Sequence, residues 1–485
     1  MSFGRPRAAV RDDAPFALAR TLACVAAALF VTWALAAGCG PLPLSKSPAV
    51  PPQSQPGAPS AQPATPPVTP SEEIPVPPRT EPLPALTDHE PDLEVGLAWD
   101  LESTRVGFEG TQVLEVQSPD RPGVHSTPGP VDFRVSGSQL LVTPHDRPRA
   151  VPLLVLHAGD TLWVGPAGWV AGDSPRTLWN NSRWRGRLKL FLNKRGKLTV
   201  ATRVGLEHYL QGVVPGEIGA LSDSLLQAGR AQAVAARSYT LFYKGRRGDE
   251  GFDLYGTVED QVYGPADAEK PLATRCVEST RGLVGLSRGA PIRANYCSTC
   301  GGISAEAWEA WPTPAYPYLT SHTDSGPRGD HCAASPQFRW HEEWTPHEFA
   351  DDIARFAPQF GVGLPAGGVG EVVDVRVAQR SVSGRVWWLE VETTTGLIRI
   401  HAHSLRQVLR RGGNSSAILR SNLFKIGVRR DPVTHKPVAV VASGAGSGHG
   451  VGLCQTGALA MAKLGSSGEE ILAHYYPGAA LERLY

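Results

Sequence analysis

Short apolar runs with a period near two dominate the chain between Asp92 and Asn181. The strings GLAWDLE, TQVLEVQ and QLLVTP belong to this pattern, and glycine or proline separates one run from the next. Such a period is typical of β-strands with one buried face, and the punctuation is typical of turns. The pattern predicts a small all-β module over residues 93–183. It contains no cluster of catalytic residue types, so it is either a binding or scaffolding unit or the first layer of the next domain.

The alternation continues from Trp184, where RLKLFL and KLTVATRV flank the turn string NKRG and predict a hairpin. The string SDSLLQAGRAQAVAARSYTLFYKG then has a helical composition, with Ser222 or Asp223 as the N-cap and Gly245 as the end. Further strand-like strings, an α/β stretch over about 345–430 and a glycine-rich C-terminal segment follow. We therefore expect an α+β fold class, with a β-rich catalytic unit over residues 184–485 preceded by the all-β module.

The first 92 residues show the sequence patterns of a targeting segment and a tether, not those of a folded domain. Residues 1–39 contain four arginines, an apolar run over Thr21–Ala37 and the string ALAAGCG, which is the layout of a signal peptide. The string LAAGC resembles a bacterial lipobox and predicts lipidation of Cys39; a plain secretory signal or an uncleaved anchor are the alternatives. Residues 41–92 hold 17 prolines and no aromatic residue, so residues 40–92 are expected to form an extended, disordered tether. We expect an exported protein of the cell envelope or periplasm, attached to a membrane through a lipid.

Charge excludes one class of partner. The chain has 47 basic and 46 acidic residues, a net charge of +1. A protein that binds nucleic acid normally carries a basic excess, so no nucleic-acid partner is expected.

The string LQGVVPGEIGA contains the first candidate for chemistry. Pro215 and Gly216 predict a sharp turn, which leaves Glu217 either as a polar turn residue or as a carboxylate at the edge of a cleft. Arg230 and Arg237 are seven residues apart on the predicted helix, so they share one face that is either solvated or a polar wall of that cleft. The helix N-terminus and the arginines would lower the pKa of Glu217, whereas burial would raise it.

Two further strings offer polar groups. Glycine occupies every second position from 444 to 452 around His449, which lets the backbone approach a ligand, and Gln455 then opens a predicted helix. In NYCSTCGGISAEAWEAW, Cys297 and Cys300 have the spacing of a metal knuckle or a redox pair, with Cys332 as a further partner. In an exported protein a disulfide between two of these cysteines is the favoured interpretation. The tryptophans of this string, Trp308 and Trp311, belong to the core or stack on sugar rings.

Several strings, taken in order, resemble the SpoIID/LytB family of sporulation lytic transglycosylases and amidase enhancers. The resemblance covers residues 184–485 and rests on the strings VVPGE, AQAVAARSY, DQVYG, STRGLV, YCSTCGG, GSGHGVGLCQTGALAMA and ILAHYYPGA.

The resemblance implies cleavage of peptidoglycan glycan strands between N-acetylmuramic acid and N-acetylglucosamine. The preferred substrate would be glycan stripped of its stem peptides, the product a 1,6-anhydro end, and no cofactor would be needed. Glu217 falls on the catalytic glutamate, and the residues implied in substrate binding are Arg230, Arg237, Tyr296, Ser298, His449 and Gln455. Since the muramic acid C6 hydroxyl attacks internally, one carboxyl group suffices, whereas ordinary glycosidases use two.

This sequence departs from the family pattern at three places, and two other functions stay open. Ile218 and Gly219 replace the usual methionine and proline, and Cys297 replaces a histidine. Tyr255, Glu259 and Asp260 stand at the cysteine and histidine positions of the zinc segment that some members carry, so that zinc site is expected to be absent. One alternative is a non-catalytic glycan-binding module that enhances a cell-wall amidase. The other is a zinc amidase that uses a ligand set of Cys297, Cys300, Cys332 and His449.

Overall fold

The computed structural model describes residues 88–107, 111–148, 151–167 and 176–485. The predicted signal peptide, its lipidation site at Cys39 and nearly all of the predicted tether lie outside these residues. Among the described residues, no helix is both long enough and apolar enough to cross a bilayer.

Helices and strands alternate irregularly along the described chain, which confirms the α+β class. The helices are α1 Leu206–Ile218, α2 Leu226–Tyr243, α3 Pro271–Ser279, α4 Ala307–Ala310, α5 Pro346–Phe356, α6 Ala402–Val408, α7 Gln455–Lys463 and α8 Gly468–Tyr475. The strands before α1 are β1 Asp92–Leu101, β2 Ser103–Val106, β3 Thr111–Gln117, β4 Gly123–Pro128, β5 Val131–Ser136, β6 Gln139–Pro144, β7 Leu154–Leu156, β8 Thr161–Pro166, β9 Arg176–Trp179, β10 Ser182–Arg185, β11 Arg187–Leu192 and β12 Leu198–Gly205. The later strands are β13 Leu254–Tyr255, β14 Leu283–Ser287, β15 Ala290–Pro291, β16 Tyr296–Cys297, β17 Ser325–Gly326, β18 Gly329–Asp330, β19 Arg339–Trp344, β20 Val372–Arg380, β21 Val386–Thr393, β22 Gly396–His401, β23 Arg410–Arg411, β24 Asn414–Ile418, β25 Phe424–Arg430, β26 Pro437–Ala445, β27 Leu453–Cys454 and β28 Ala480–Arg483.

The N-terminal strands form two sheets that share one core. Seven strands pair in the order β13-β1-β12-β11-β8-β3-β4, and six pair in the order β10-β9-β2-β5-β6-β7. Leu114, Leu188 and Val200 of the first sheet and Val106 and Phe133 of the second belong to the same buried cluster. Because β1 pairs with β12 and β8 pairs with β11, the first sheet runs across residue 184. Strands on both sides of the expected boundary at residue 184 thus belong to one sheet.

Helix α2 is the centre of the helical layer. It packs on α1, α3, α7 and α8, and its alanine-rich sequence leaves most of its residues buried. Gly229 lies where α3 approaches, since a Cβ there would stand 2.7 Å from Cys276 Sγ and 2.6 Å from Leu221 Cδ1. The helix ends at Tyr243, and Gly245 follows in a left-handed conformation, as expected.

A second core lies in the C-terminal half. Strands β20, β21 and β22 form one antiparallel sheet, and β19, β26 and β25 form another. Between these sheets and α5 and α6 the chain buries a cluster that includes Trp344, Phe349, Val391 and Ile400. Strands β19 and β26 flank residues 345–430, over which an α/β subregion was expected, and they pair with each other.

Candidate active site

Glu217 is the penultimate residue of helix α1, with Pro215 inside the last turn of that helix. The predicted sharp turn at Pro215 and Gly216 is therefore wrong. The preceding apolar residues Leu210, Val213 and Val214 are completely buried, and their packing carries the helix past the proline. Pro215 has no N–H to donate to the carbonyl of Gln211, so the last turn lacks that hydrogen bond, and the helix ends only at Gly219, whose φ is +79°.

Three groups contact the Glu217 carboxyl. The backbone N–H of Val262 donates to Oε1 over 2.8 Å, and the side chains of Tyr296 and Gln455 form hydrogen bonds with the carboxyl. Burial raises the pKa of Glu217 above its ordinary value, although these hydrogen bonds oppose the shift. Burial thus outweighs the hydrogen bonds in setting the direction of the pKa shift, which resolves the opposing effects expected from the sequence. The position at the C-terminal end of a helix acts in the same direction.

The neighbours of Glu217 belong to a buried polar cluster. Tyr296 donates its hydroxyl proton to Gln261 Oε1 over 3.0 Å, and Gln261 in turn donates to Thr240 over 2.7 Å. Gln455, the first residue of α7, also reaches Gln232 of α2 over 3.5 Å. Four separate chain segments thus fix the polar groups around one carboxyl.

His449 lies next to the backbone of Tyr296, and its contacts fix the orientation of the imidazole ring. Burial, together with the nearby guanidinium groups of Arg406 and Arg293, lowers the pKa of His449 to about 3, so its ring is neutral. Nδ1 accepts a hydrogen bond from the backbone N–H of Val451 over 3.0 Å, which places the ring proton on Nε2. The imidazole also bonds to the backbone of Tyr296, and its ring centroid lies 4.7 Å from that of Trp311.

The glycines around His449 are required by close contacts. The four glycines at 446, 448, 450 and 452 have φ between +69° and +105°. A Cβ at Gly452 would stand 2.0 Å from the backbone oxygen of Asn295, and one at Gly450 would meet Arg385 at the same distance. The loop can therefore lie directly on the segment that carries Tyr296.

Ser298 is exposed beside this cluster. Its backbone carbonyl accepts hydrogen bonds from the N–H of Thr456 over 3.1 Å and from the Thr456 hydroxyl over 2.9 Å. Its side chain is thus available at the surface, next to the start of α7.

The two arginines of α2 do not form the expected polar wall. Arg237 is completely buried and binds Glu207 of α1 through two hydrogen bonds of 2.8 and 2.7 Å. A guanidinium so enclosed is unavailable to a glycan, so the expectation that Arg237 lines the cleft is wrong. Arg230 is half-exposed and donates to Ser279 of α3 over 3.1 Å.

A small pocket adjoins His449, and the sequence did not predict it. It has a volume of about 80 Å³, and its lining includes Glu309, Trp311, Arg385, His403, Arg406 and His449. Arg385 is 4% exposed, and two of its nitrogens, Nε and Nη1, have no hydrogen-bond partner among the described residues. No local motif marks Arg385, because it lies in the turn between β20 and β21, roughly 90 residues beyond Tyr296 in the chain.

The predicted disulfide is absent, and all five described cysteines are free thiols. Cys297 and Cys454 are partners in the parallel pairing of β16 with β27, yet Cys300 and Cys332 are the pair whose sulfur atoms approach. Of the residues at the zinc positions of the family segment, Asp260 already has two cationic partners. Its side chain is fully buried and is held by Arg246 and Arg247.

These features describe an α+β protein in which one glutamate with a raised pKa, Glu217, lies in a polar cluster formed by four chain segments. Residues 194–286 match the family model of SpoIID, the stage II sporulation protein, and residues 328–452 match a domain family of unknown function, DUF8618.

Three relatives align over about 300 residues each. An uncharacterized protein of Brachyspira hyodysenteriae is 26% identical over 302 residues, which is 62% of this chain and 72% of the relative. The amidase enhancer of Bacillus subtilis is 26% identical over 304 residues, or 56% of this chain and 40% of the relative. The stage II sporulation protein D of Bacillus subtilis is 27% identical over 298 residues, or 57% and 74%. The SpoIID match and these relatives support the assignment of the chain to the SpoIID/LytB family and a role related to the cell wall.

Proposed function

We propose that the protein is a peptidoglycan lytic transglycosylase in which Glu217 acts as both general acid and general base. The observation that carries this proposal is the state of the Glu217 carboxyl, whose pKa burial raises and whose neighbours are Val262, Tyr296 and Gln455. None of these neighbours supplies a second carboxyl group. A reaction that uses one carboxyl in two protonation states suits such a site.

In the proposed reaction, Glu217 first donates a proton and later accepts one. The protonated carboxyl donates to the glycosidic oxygen as the bond to the muramic acid C1 breaks and an oxocarbenium-like state develops. The C6 hydroxyl of the same sugar then attacks C1, and its proton passes to the carboxylate, which restores the acid. The products are a free N-acetylglucosamine 4-hydroxyl and a 1,6-anhydro ring, and water is not consumed.

The neighbouring groups have distinct proposed roles in this reaction. Tyr296 and Gln455 orient the carboxyl, and Gln455 also offers an amide to the N-acetyl groups of the glycan. Ser298 and Arg230 are available for contacts at the surface. The pocket beside His449 offers the free donors of Arg385 and the ring of Trp311, which suit a sugar that carries oxygen-rich substituents.

The decisive experiment is digestion of purified glycan from which the stem peptides have been removed. We expect mass spectrometry to find 1,6-anhydro ends, and Glu217→Gln to slow their release by at least about 100-fold. The matched control is Glu278→Gln, which changes an exposed glutamate on α3. Release of anhydro product by Glu217→Gln at the wild-type rate would remove the assignment.

A second function is favoured by one relative, the amidase enhancer of Bacillus subtilis. In that case the chain would bind glycan and stimulate an amidase of the cell wall without cleaving the strand. Glu217→Gln would then leave both glycan binding and amidase stimulation unchanged, and no anhydro product would form with either protein.

We also propose that the protein is exported and attached to a membrane through a lipid on Cys39. The string LAAGC carries this proposal. Fractionation of cells that express Cys39→Ser should find the protein released from the membrane fraction. Equal membrane retention of this variant and the wild type would exclude the lipid anchor.

A further inference from the structure

Four buried side chains bring ligand atoms together beside the glycine loop. Cys300, Asp324, Cys332 and Cys454 are all buried, and each offers one ligand atom within 4.8 Å of the others. They come from four separate positions: the segment after β16, the loop before β17, a 3-10 turn at His331–Ala334, and the start of α7. We propose that these four residues hold a zinc ion in a closed structural site, distinct from the segment that carries zinc in other members of the family.

The distances suit a metal better than a disulfide. The sulfur atoms of Cys300 and Cys332 lie 3.6 Å apart. A tetrahedral zinc site with zinc–sulfur bonds of about 2.3 Å separates two sulfurs by about 3.8 Å. A disulfide would require about 2.05 Å. Asp324 Oδ2, 3.0 Å from Cys300 Sγ, completes a set of three sulfurs and one oxygen.

The groups around the cluster resemble the outer shell of a metal site. Asp324 uses its other oxygen, Oδ1, to accept hydrogen bonds from the Tyr475 hydroxyl over 2.8 Å and from His474 Nε2 over 3.2 Å. These contacts fix the carboxylate and leave Oδ2 directed at the sulfurs. Partners that orient a ligand in this way are a usual part of metal sites.

Backbone amides point at the sulfur atoms. Cys454 Sγ accepts from the N–H of Cys300 over 3.3 Å and from the N–H of Gly457 over 3.4 Å, the second of which caps α7. The N–H of Gly302 lies 3.4 Å from Cys300 Sγ. Amide donors and a helix N-terminus both favour the thiolate, which is the form that binds metal.

The chemistry of the donors selects the class of ion. Three thiolates with one carboxylate form a soft, four-coordinate set, which suits zinc and does not suit calcium or magnesium. Since all four positions are occupied by protein, the ion would have no open position for water and would be structural rather than catalytic. It would tie the Tyr296 segment to the start of α7, and thus two neighbours of Glu217 to each other.

The test begins with elemental analysis of the full chain, purified with its thiols reduced and without chelators. We expect about one zinc per chain, and replacement by Co²⁺ should produce thiolate-to-cobalt charge-transfer absorption. Removal of the zinc by a chelator should lower the melting temperature, and added Zn²⁺ should restore it.

Matched variants separate this site from other cysteines. Cys300→Ala and Cys454→Ala should lose the zinc and the cobalt absorption. Cys297→Ala should keep both, although Cys297 shares the same short string and is also buried. If the cysteine variants do not fold, Asp324→Asn preserves the shape of the side chain and should weaken zinc retention against competing chelator at least tenfold.

Three outcomes would overturn the proposal. The first is a Cys300–Cys332 disulfide in the purified protein, found by peptide mass spectrometry under non-reducing conditions. The second is a chain with free thiols that fails to retain added Zn²⁺. The third is equal zinc content in Cys300→Ala, Cys454→Ala and the wild type. None of these results depends on glycan cleavage, so the site and the proposed activity are tested separately.

Discussion

The Glu217 carboxyl links chemistry to stability at the scale of one residue. Because its pKa in the folded protein is raised by burial, folding is favoured below the ordinary carboxyl pKa of about 4.3 and loses stability as pH rises through the folded value. At neutral pH the wild type must either ionise a half-buried group or stay protonated at a cost. Glu217→Gln has neither cost. We therefore expect the variant to melt at a higher temperature than the wild type at pH 7, and at nearly the same temperature below pH 4.

Thermal unfolding at both pH values measures this effect, with the exposed Glu278→Gln as the control. A variant that melts below the wild type at pH 7 would show that Glu217 stabilises the fold in its ionised form. In that event its role as a general acid would lose its physical basis.

Arg237 illustrates a buried ion pair whose function is structural. Although burial alone would raise the pKa of Glu207, the hydrogen bonds and charge of Arg237 hold it below the ordinary value. Arg237→Met would leave the Glu207 carboxylate buried without its partner, so we expect a loss of about 3–5 kcal/mol in the free energy of unfolding. Arg230→Met, at a half-exposed position on the same helix, should cost less than about 1 kcal/mol.

Urea unfolding of both variants measures the difference. Adding Glu207→Gln to Arg237→Met should restore part of the lost stability, because the uncompensated charge is then removed. Equal losses for Arg237→Met and Arg230→Met would contradict the structural role.

At the scale of the element, Gly229 shows packing that overrides helix propensity. Alanine is favoured over glycine inside a helix by about 1 kcal/mol, which would make Gly229→Ala stabilising. However, the added Cβ would meet Leu221 and Cys276 at less than 3 Å. We expect Gly229→Ala to destabilise the protein by about 1–3 kcal/mol in urea unfolding. Gly248→Ala, where a Cβ would meet nothing within 4 Å, should change stability little, and a stabilising Gly229→Ala would show that α2 and α3 can separate.

The sequence predicted elements well where local signals and packing agree. The hairpin of β11 and β12 and the helix α2 follow from alternation, turn residues and alanine content. The turn predicted at Pro215 is wrong because three nearby side chains are completely buried and keep the chain helical. Sequence rules that consider only neighbouring residues do not include this packing. The ion-pair partner of Arg237 could not be predicted from the sequence either. Spacing along a helix shows which residues share a face, but it does not show that Glu207 of another helix occupies that face.

At the scale of the whole molecule, the seven-stranded sheet joins the N-terminal strands to the catalytic unit. A variant that begins at Trp184 would lack β1 and β8, the neighbours of β12 and β11, and would expose both strand edges and their apolar faces. We expect it to be insoluble or unfolded, whereas a variant that begins at Asp88 keeps every described strand and should fold. Circular dichroism and size-exclusion chromatography distinguish the two, and a soluble, folded variant from Trp184 would show that the N-terminal strands are an independent domain.

The pairing of Tyr296 with Leu453 and of Thr299 with Ser447 has a consequence for how such a protein can diversify. The chain leaves the site near Ser298 and returns about 150 residues later at nearly the same point in space. The part of this excursion that leaves through β19 and returns through β26 is closed where Arg339 pairs with Ala445, so it can be lengthened, shortened or exchanged without moving the residues at its base. The intervening α/β subregion sends Arg385 back to the pocket beside His449. If the proposed function holds, natural variation in this excursion would alter the choice of glycan while Glu217 stays unchanged.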